Sequence, residues 1–245
     1  MDRKKFLQKG LLGLGTIVAI PSIITSCSKD RESGSTTSTD SSTGNCSLSP
    51  SETAGPFPIK TPAQLVRENI VGDRSGVALL INLTVQDQSN NCQPMAGVLV
   101  DIWHCDAEGN YSQYGGGGMQ QANYTSNNFL RGRSTTDKNG QVSFISIFPG
   151  WYKGRAPHIH LEILNANGSS IRVSQIAFPK SVCDTVYATT GYKGVADTQN
   201  ESDNVFSDSL SGNMLDDIKG DVANYNRQNE KYIFFKRNVQ KKIKL

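Results

Sequence analysis

His158-Ile159-His160-Leu161-Glu162-Ile163-Leu164 is the stretch that decides the fold. Apolar and β-branched residues dominate it, and Asn167-Gly168 marks a turn just beyond it. A second run of the same kind follows, from Ser170 through Ile171, Val173 and Ile176 to Phe178. Two such runs around a turn predict a pair of antiparallel strands. On a strand, side chains at i and i+2 share a face, so His158 and His160 point the same way. The whole chain of 245 residues has only three histidines. Two imidazoles on one face of one strand are half of a metal site. The plainer reading is a pair of surface or core histidines, and this spacing alone does not choose between them.

The pattern continues on either side. Val77 to Val85 and Gly97 to Trp103 are apolar, branched runs that read as strands. Asn139-Gly140 before Gln141–Ile145 is a type I′ hairpin signal. Tyr232 to Phe235 reads as a late strand, and Met214 to Tyr225 as at most one short helix. Gly115 to Gly118 is a glycine run suited to a loop. Tyr187 and Tyr192 read as packing or rim residues of another loop. Many short strands with Gly-rich turns predict an all-β protein, an antiparallel β-sandwich with long loops and little helix.

The first residues have a different character. Asp2-Arg3-Lys4-Lys5 precedes an apolar run from about Leu11 to Ile24, too short for a comfortable membrane span. Ile24-Thr25-Ser26-Cys27 reads as a lipobox, in which the chain is cut before Cys27 and its sulfur lipidated. An ordinary signal peptide or an uncleaved anchor is the alternative. Arg3-Lys4-Lys5-Phe6-Leu7 also resembles a twin-arginine export signal with Lys4 in place of the second arginine. Residues 28–45 are Ser, Thr, Gly and charged residues without an aliphatic side chain, a flexible tether. The expected organisation is a signal peptide at 1–26, a lipidated cysteine and tether at 27–45, and one domain at 46–245. That places the protein in a bacterial cell envelope, held to the membrane by lipid.

Net charge is +3 for the whole chain, and removing residues 1–26 leaves 21 basic and 21 acidic side chains. The basic excess belongs to the leader, so nothing points to a nucleic-acid partner. Beyond Cys27 the cysteines are Cys46, Cys92, Cys105 and Cys183. An even number in an exported protein permits disulfides. Cys46 and Cys92 lie in polar, turn-like contexts and are the favoured pair. Cys105 either pairs with Cys183 or stays a buried thiol.

Two tyrosines flank the chemistry. Tyr152 precedes the histidines in a loop opened by Pro149-Gly150, and Tyr111 ends a Glu108-Gly109-Asn110 turn. A phenol ordinarily ionises near pH 10, but a strong Lewis acid deprotonates it on binding. Phenolate is a hard, anionic oxygen donor, so two of them favour a trivalent ion over zinc or copper(I). Iron(III) with two tyrosinates and one hydroxide is neutral, which suits a dry cavity.

Several motifs stand in order: Ser49 through Thr53-Ala54-Gly55-Pro56-Phe57, Asp101-Ile102-Trp103-His104-Cys105 running to Tyr111, Phe129-Leu130-Arg131-Gly132-Arg133, Thr136-Asp137 with Gly140, Ile147-Phe148-Pro149-Gly150 with Tyr152, and Gly154-Arg155-Ala156-Pro157-His158-Ile159-His160. Together they resemble the intradiol ring-cleavage dioxygenases, and among these the exported members. The resemblance implies a non-haem iron(III) enzyme that uses O2 to cleave a catechol between its hydroxyl-bearing carbons, giving a muconate-type diacid. It implies Tyr111, Tyr152, His158 and His160 as metal ligands, with Tyr152 and His158 axial. It also implies Arg155 and Gln175 beside the substrate, with Tyr152 taking up a substrate proton. His104 faces away from this group, and Trp103 reads as core.

The chain departs from cytoplasmic members in two ways. Only Lys153-Gly154-Arg155-Ala156-Pro157 separate Tyr152 from His158, so one pocket wall is expected to be low. The helical segment before the entry motif is missing, so its dimer interface is not expected, although a homo-oligomer stays open. The alternative is an envelope-anchored module that binds an aromatic or glycan without turnover; a copper or zinc protein using His158 and His160 alone leaves the two tyrosines in their frames unexplained.

Overall fold

The computed structural model describes residues 46–220 and the backbone of 233–241. The expected leader, Cys27 and tether lie outside the described residues. The strands are β1 Ala78–Asp87, β2 Gln93–Pro94, β3 Leu99–Trp103, β4 Arg131–Thr135, β5 Gln141–Ile147, β6 His158–Leu164, β7 Ser170–Ala177, β8 Asp217–Lys219 and β9 Ile233–Lys241. Two short helices, α1 Lys180–Tyr187 and α2 Leu210–Asn213, lie between β7 and β8.

The strands form two sheets. One runs β4-β3-β6-β7 and is antiparallel throughout. The other runs β2-β1-β9-β8, with β5 also paired to β1. In β1, Leu79, Ile81, Leu83 and Val85 are buried and alternate with more exposed residues. They share one core cluster with Val100 and Ile102 of β3 and with Ile159, Leu161 and Ile163 of β6. Each such side chain contributes about 1.5–3 kcal/mol when fully buried. The sandwich predicted from strand periodicity is therefore present.

Cys46 and Cys92 form a disulfide with Cα atoms 6.1 Å apart. Cys105 and Cys183 are both buried and free, so the thiol alternative holds for Cys105. Asn167-Gly168 does join β6 to β7, with Gly168 at φ +85°.

Four expectations need correction. First, β9 runs parallel to β1, the exception to antiparallel pairing among the described strands. Second, Asn139-Gly140 does not close a hairpin. It carries the chain from β4 in one sheet to β5 in the other. Asp137 Oδ1 accepts the amides of Asn139 and Gln141, each at 2.8 Å. Only Gly140 of the pair has positive φ, whereas a type I′ turn needs it at both. Third, Met214 follows α2, and Asp217–Lys219 is strand β8, so no helix begins at Met214; residues 221–225 lie outside the described part. Fourth, Tyr187 belongs to α1, whose Cys183, Val186 and Tyr187 face the core at helical spacing. Its packing role stands: Tyr187 Oη donates to the Pro149 carbonyl, and Tyr192 Oη to that of Phe148.

Register places the functional side chains. Ile159, Leu161 and Ile163 point between the sheets, so His158 and His160 must point to the outer face. Across that face Arg131, Trp103, His160 and Gln175 stand directly opposite one another on β4, β3, β6 and β7. His104, one residue past this row, turns the other way. Its Nε2 meets Ser146 Oγ of β5 at 2.7 Å, a buried tie between the two sheets.

Candidate metal centre

His158 and His160 are both buried, with their Nε2 atoms 3.1 Å apart. The His158 Nδ1–H donates to the Ala156 carbonyl at 2.6 Å, which leaves a lone pair on Nε2. Burial pushes the His158 pKa down to about 3 and that of His160 well below the usual imidazole range. At neutral pH both rings are therefore uncharged and able to act as ligands. His160 Nδ1 is buried without a hydrogen-bond partner. Packing aims this ring instead: the Trp103 indole lies flat on it, 3° from parallel, with centroids 4.9 Å apart. Gly55, at φ +68°, passes so close that a Cβ there would stand 2.9 Å from His160 Cε1.

The two tyrosines converge on the histidines. Tyr111 is fully buried, and its Oη lies 3.4 Å from His158 Nε2. Phe57 stacks on its ring at 4.7 Å, and its amide donates to Gln120 Oε1 at 2.7 Å. Tyr152 stands 5.8 Å from Tyr111 and 5.6 Å from His158 between ring centroids. Burial raises both phenols, Tyr152 to about 12 and Tyr111 well above its usual value. Neither phenol would ionise at neutral pH without a strong Lewis acid beside it. Among the described residues no three His, Cys, Asp or Glu side chains gather into a metal-holding group. The donors brought together here are two imidazoles and two phenols.

Arg155 and Gln175 complete the group. Arg155 Nη2 donates to Gln175 Oε1 at 2.6 Å, and Nη1 lies 3.4 Å from Tyr152 Oη. Gln175 Nε2 donates to the Thr53 carbonyl, and Asn213 Nδ2 to the Gln175 carbonyl. A cavity of about 450 Å³ opens from this point to solvent, lined in part by Thr53, Pro56, Met119, Tyr152, Arg155 and Val205. All six site residues expected from sequence are thus brought together.

Sequence reasoning missed other members. Asp203 is fully buried and pairs with Arg155 at 2.8 Å, yet it sits in a plain polar segment with no distinguishing pattern. Arg131 stands within the Phe129–Arg133 motif, which by itself assigns it no role. It is fully buried, donates to the Ser112 and Phe57 carbonyls, and lies 5.7 Å from the Tyr111 ring centre. Trp103 is buried as expected, but against His160 rather than in the inter-sheet core.

This fold and this site define a class, and comparison with known proteins names it. A family model described as dioxygenase matches residues 55–215. The chain belongs to the intradiol ring-cleavage dioxygenase family. An intradiol ring-cleavage dioxygenase from Tetranychus urticae is 31% identical, with a TM-score of 0.67 over 80% of this chain and 95% of that one. The dioxygenase domain of a dioxygenase–carbohydrate-binding fusion from Streptomyces sp. SirexAA-E is 20% identical, with a TM-score of 0.57 over 81% of this chain and all (100%) of that one. A 3-chlorocatechol 1,2-dioxygenase from Rhodococcus opacus is 21% identical, with a TM-score of 0.53 over 78% of this chain and 72% of that one. These last two share the fold. A search of curated proteins found no match.

Proposed function

We propose that this protein is a non-haem iron(III) dioxygenase that cleaves catechols between their two hydroxyl-bearing carbons. Tyr111, Tyr152, His158 and His160 would hold the iron. The observation that carries this reading is the pair of neutral imidazole Nε2 atoms 3.1 Å apart, with Tyr111 Oη 3.4 Å from one of them. Donors held about 2.1 Å from one ion would stand roughly 3–3.5 Å from each other. Two phenols beside them supply the hard anionic donors that a trivalent ion favours.

Bound there, iron(III) would supply the Lewis acidity that makes a catecholate ring reactive toward O2. The chain's own residues do the rest. Tyr152 lines the cavity and takes up a substrate proton. Arg155 presents preorganised positive charge to the ring, an effect of about 3 kcal/mol per donor in comparable sites. Gln175 holds the guanidinium in place across the row from His160. The short Lys153–Pro157 segment, part of which lines the cavity, would leave that wall low and admit catechols with a projecting substituent.

The envelope location belongs to the same proposal. The basic leader, the apolar run and Cys27 support export and a lipid anchor. The Cys46–Cys92 disulfide is in keeping with an oxidising compartment.

The test is a visible spectrum of the iron-loaded chain before and after anaerobic catechol. A tyrosinate-to-iron(III) band that shifts with catechol, followed by O2 uptake, is expected. A protein that stays colourless after iron reconstitution would refute the proposal and favour a binding module.

A further inference from the structure

We propose that Asp203 is the positioning residue of Arg155, its carboxylate fixing the guanidinium so that one arm faces Tyr152 and the other holds Gln175. This inference rests on the dioxygenase reading above. Asp203 is fully buried. Its Oδ2 accepts from Arg155 Nε at 2.8 Å and from the Ala156 amide at 2.7 Å. Its Oδ1 accepts from the Val205 amide at 2.8 Å, from Arg155 Nε at 3.1 Å and from the Phe206 amide at 3.3 Å. A guanidinium is a rigid planar fork of five N–H donors. With Nε committed to Asp203, the two terminal nitrogens are left for Tyr152 and Gln175. Nη1 lies 3.4 Å from Tyr152 Oη, and Nη2 lies 2.6 Å from Gln175 Oε1. Planarity makes the three contacts interdependent: fixing Nε and Nη2 also fixes where Nη1 stands.

Charge argues the same way. Arg155 is only 8% exposed, and Asp203 is its carboxylate partner. Without it a buried cation would lose compensation and seek another position. Burial raises the Asp203 carboxyl, but the Ala156 amide, Arg155 and the Val205 amide outweigh that and hold it below its usual value. The carboxylate therefore stays charged at any pH where the protein works. Asp203 also starts the turn that presents Asn204 and Val205 to the cavity that Arg155 lines. One carboxylate thus sets both the cation and one pocket wall. A staple for that turn alone would need only the Val205 and Phe206 amides, with no contact to the Ala156 amide or to Arg155 Nε.

Asp203→Asn in the full, iron-loaded chain tests this. Asparagine keeps one acceptor and removes the charge. Iron is expected to bind while the tyrosinate-to-iron band moves, because Nη1 is no longer held beside Tyr152 Oη. The kcat for catechol should fall on the order of 100-fold, with KM changed far less, as for a misplaced catalytic group. Arg155→Lys keeps the charge opposite Asp203 but lacks the fork, and it should show the same band shift and kcat loss. The double variant should lose no more than the worse single variant, because both act through one group. Asp203→Asn with the parent band and kcat, and only a lower Tm, would make Asp203 a structural staple and overturn the inference. If Asp203→Asn does not fold, an Arg155→Lys protein with parent band and kcat overturns it instead. A parent chain with neither band nor turnover would overturn the dioxygenase reading, and this inference with it.

Discussion

Gly55→Ala probes whether packing alone aims His160. The backbone there has φ +68°, a conformation that costs an L-residue about 1–2 kcal/mol. The new methyl carbon would stand 2.9 Å from His160 Cε1 and 3.3 Å from Nε2. Carbon contacts are comfortable near 3.5 Å, so the ring must retreat by roughly 0.5 Å. Trp103 already lies flat against it, and Nδ1 has no hydrogen bond to restore the orientation. Loss of aim at a metal ligand typically weakens metal affinity 10- to 100-fold, on the order of what outer-shell substitutions do. The assay is iron affinity by competition with a coloured chelator, with the Tm of the metal-free protein measured alongside. Backbone strain lowers Tm whether or not iron binds; ring displacement appears only in affinity and in the visible band. Gly55→Ala protein that binds iron as tightly as the parent would refute the packing argument.

Three further outcomes are expected. Replacing Cys46 and Cys92 by serine removes a cross-link between positions 46 residues apart, worth about 4 kcal/mol in the chain-entropy account. An unchanged urea midpoint would contradict it. Tyr152→Phe should still bind iron but turn over more slowly and change colour, while His160→Ala should lose iron; metal analysis with a visible spectrum of each decides. Burial pushes His104 down to about 4, from about 6.5 when unfolded. A histidine with a depressed folded pKa contributes stability that is fully present above pH 6.5 and lost as pH falls toward 4. At about 1.4 kcal/mol per unit, His104 alone removes roughly 3 kcal/mol over that window. Urea midpoints of the metal-free chain at pH 7 and 4.5 check this, and equal values would refute it.

What could be read in the sequence was what local spacing encodes. The alternation in β1 and the i, i+2 histidines of β6 need only the strand period. Tyr111 and Tyr152 stand in short glycine-bearing frames, so they too were visible. Pairings between distant segments were not. Asp203 lies 48 residues from Arg155, in a turn whose composition resembles any other polar loop. The parallel pairing of β9 with β1 joins segments some 150 residues apart, and no periodicity announces it. Asn139-Gly140 encodes a turn but not which strands it joins; Asp137 and the approach of Gly140 to the Val85 carbonyl send the chain to the other sheet. In α1 the β-branched Val182, Thr185 and Val186 lean toward strand, and burial of Cys183, Val186 and Tyr187 decides for helix.

The core and the site are nonetheless one problem. Slipping β6 by one residue against β3 would put Ile159 or Leu161 opposite Trp103 and turn both histidines into the inter-sheet core. It would also expose Ile159, Leu161 and Ile163, at about 1.5–3 kcal/mol each. Three aliphatic residues on one face of β6 therefore select the register that puts His158 and His160 on the other. The same register sets Trp103 against His160 and brings Gln175 alongside, within reach of Arg155. The geometry of the candidate site follows from hydrophobic burial behind it, with no hydrogen bond to His160 Nδ1 required. Substitutions that trim Leu161 without changing register should accordingly lower stability and leave the visible spectrum of the iron-loaded protein in place; a Leu161→Ala protein of normal Tm with a displaced band would show that the site is aimed by something other than the sheet.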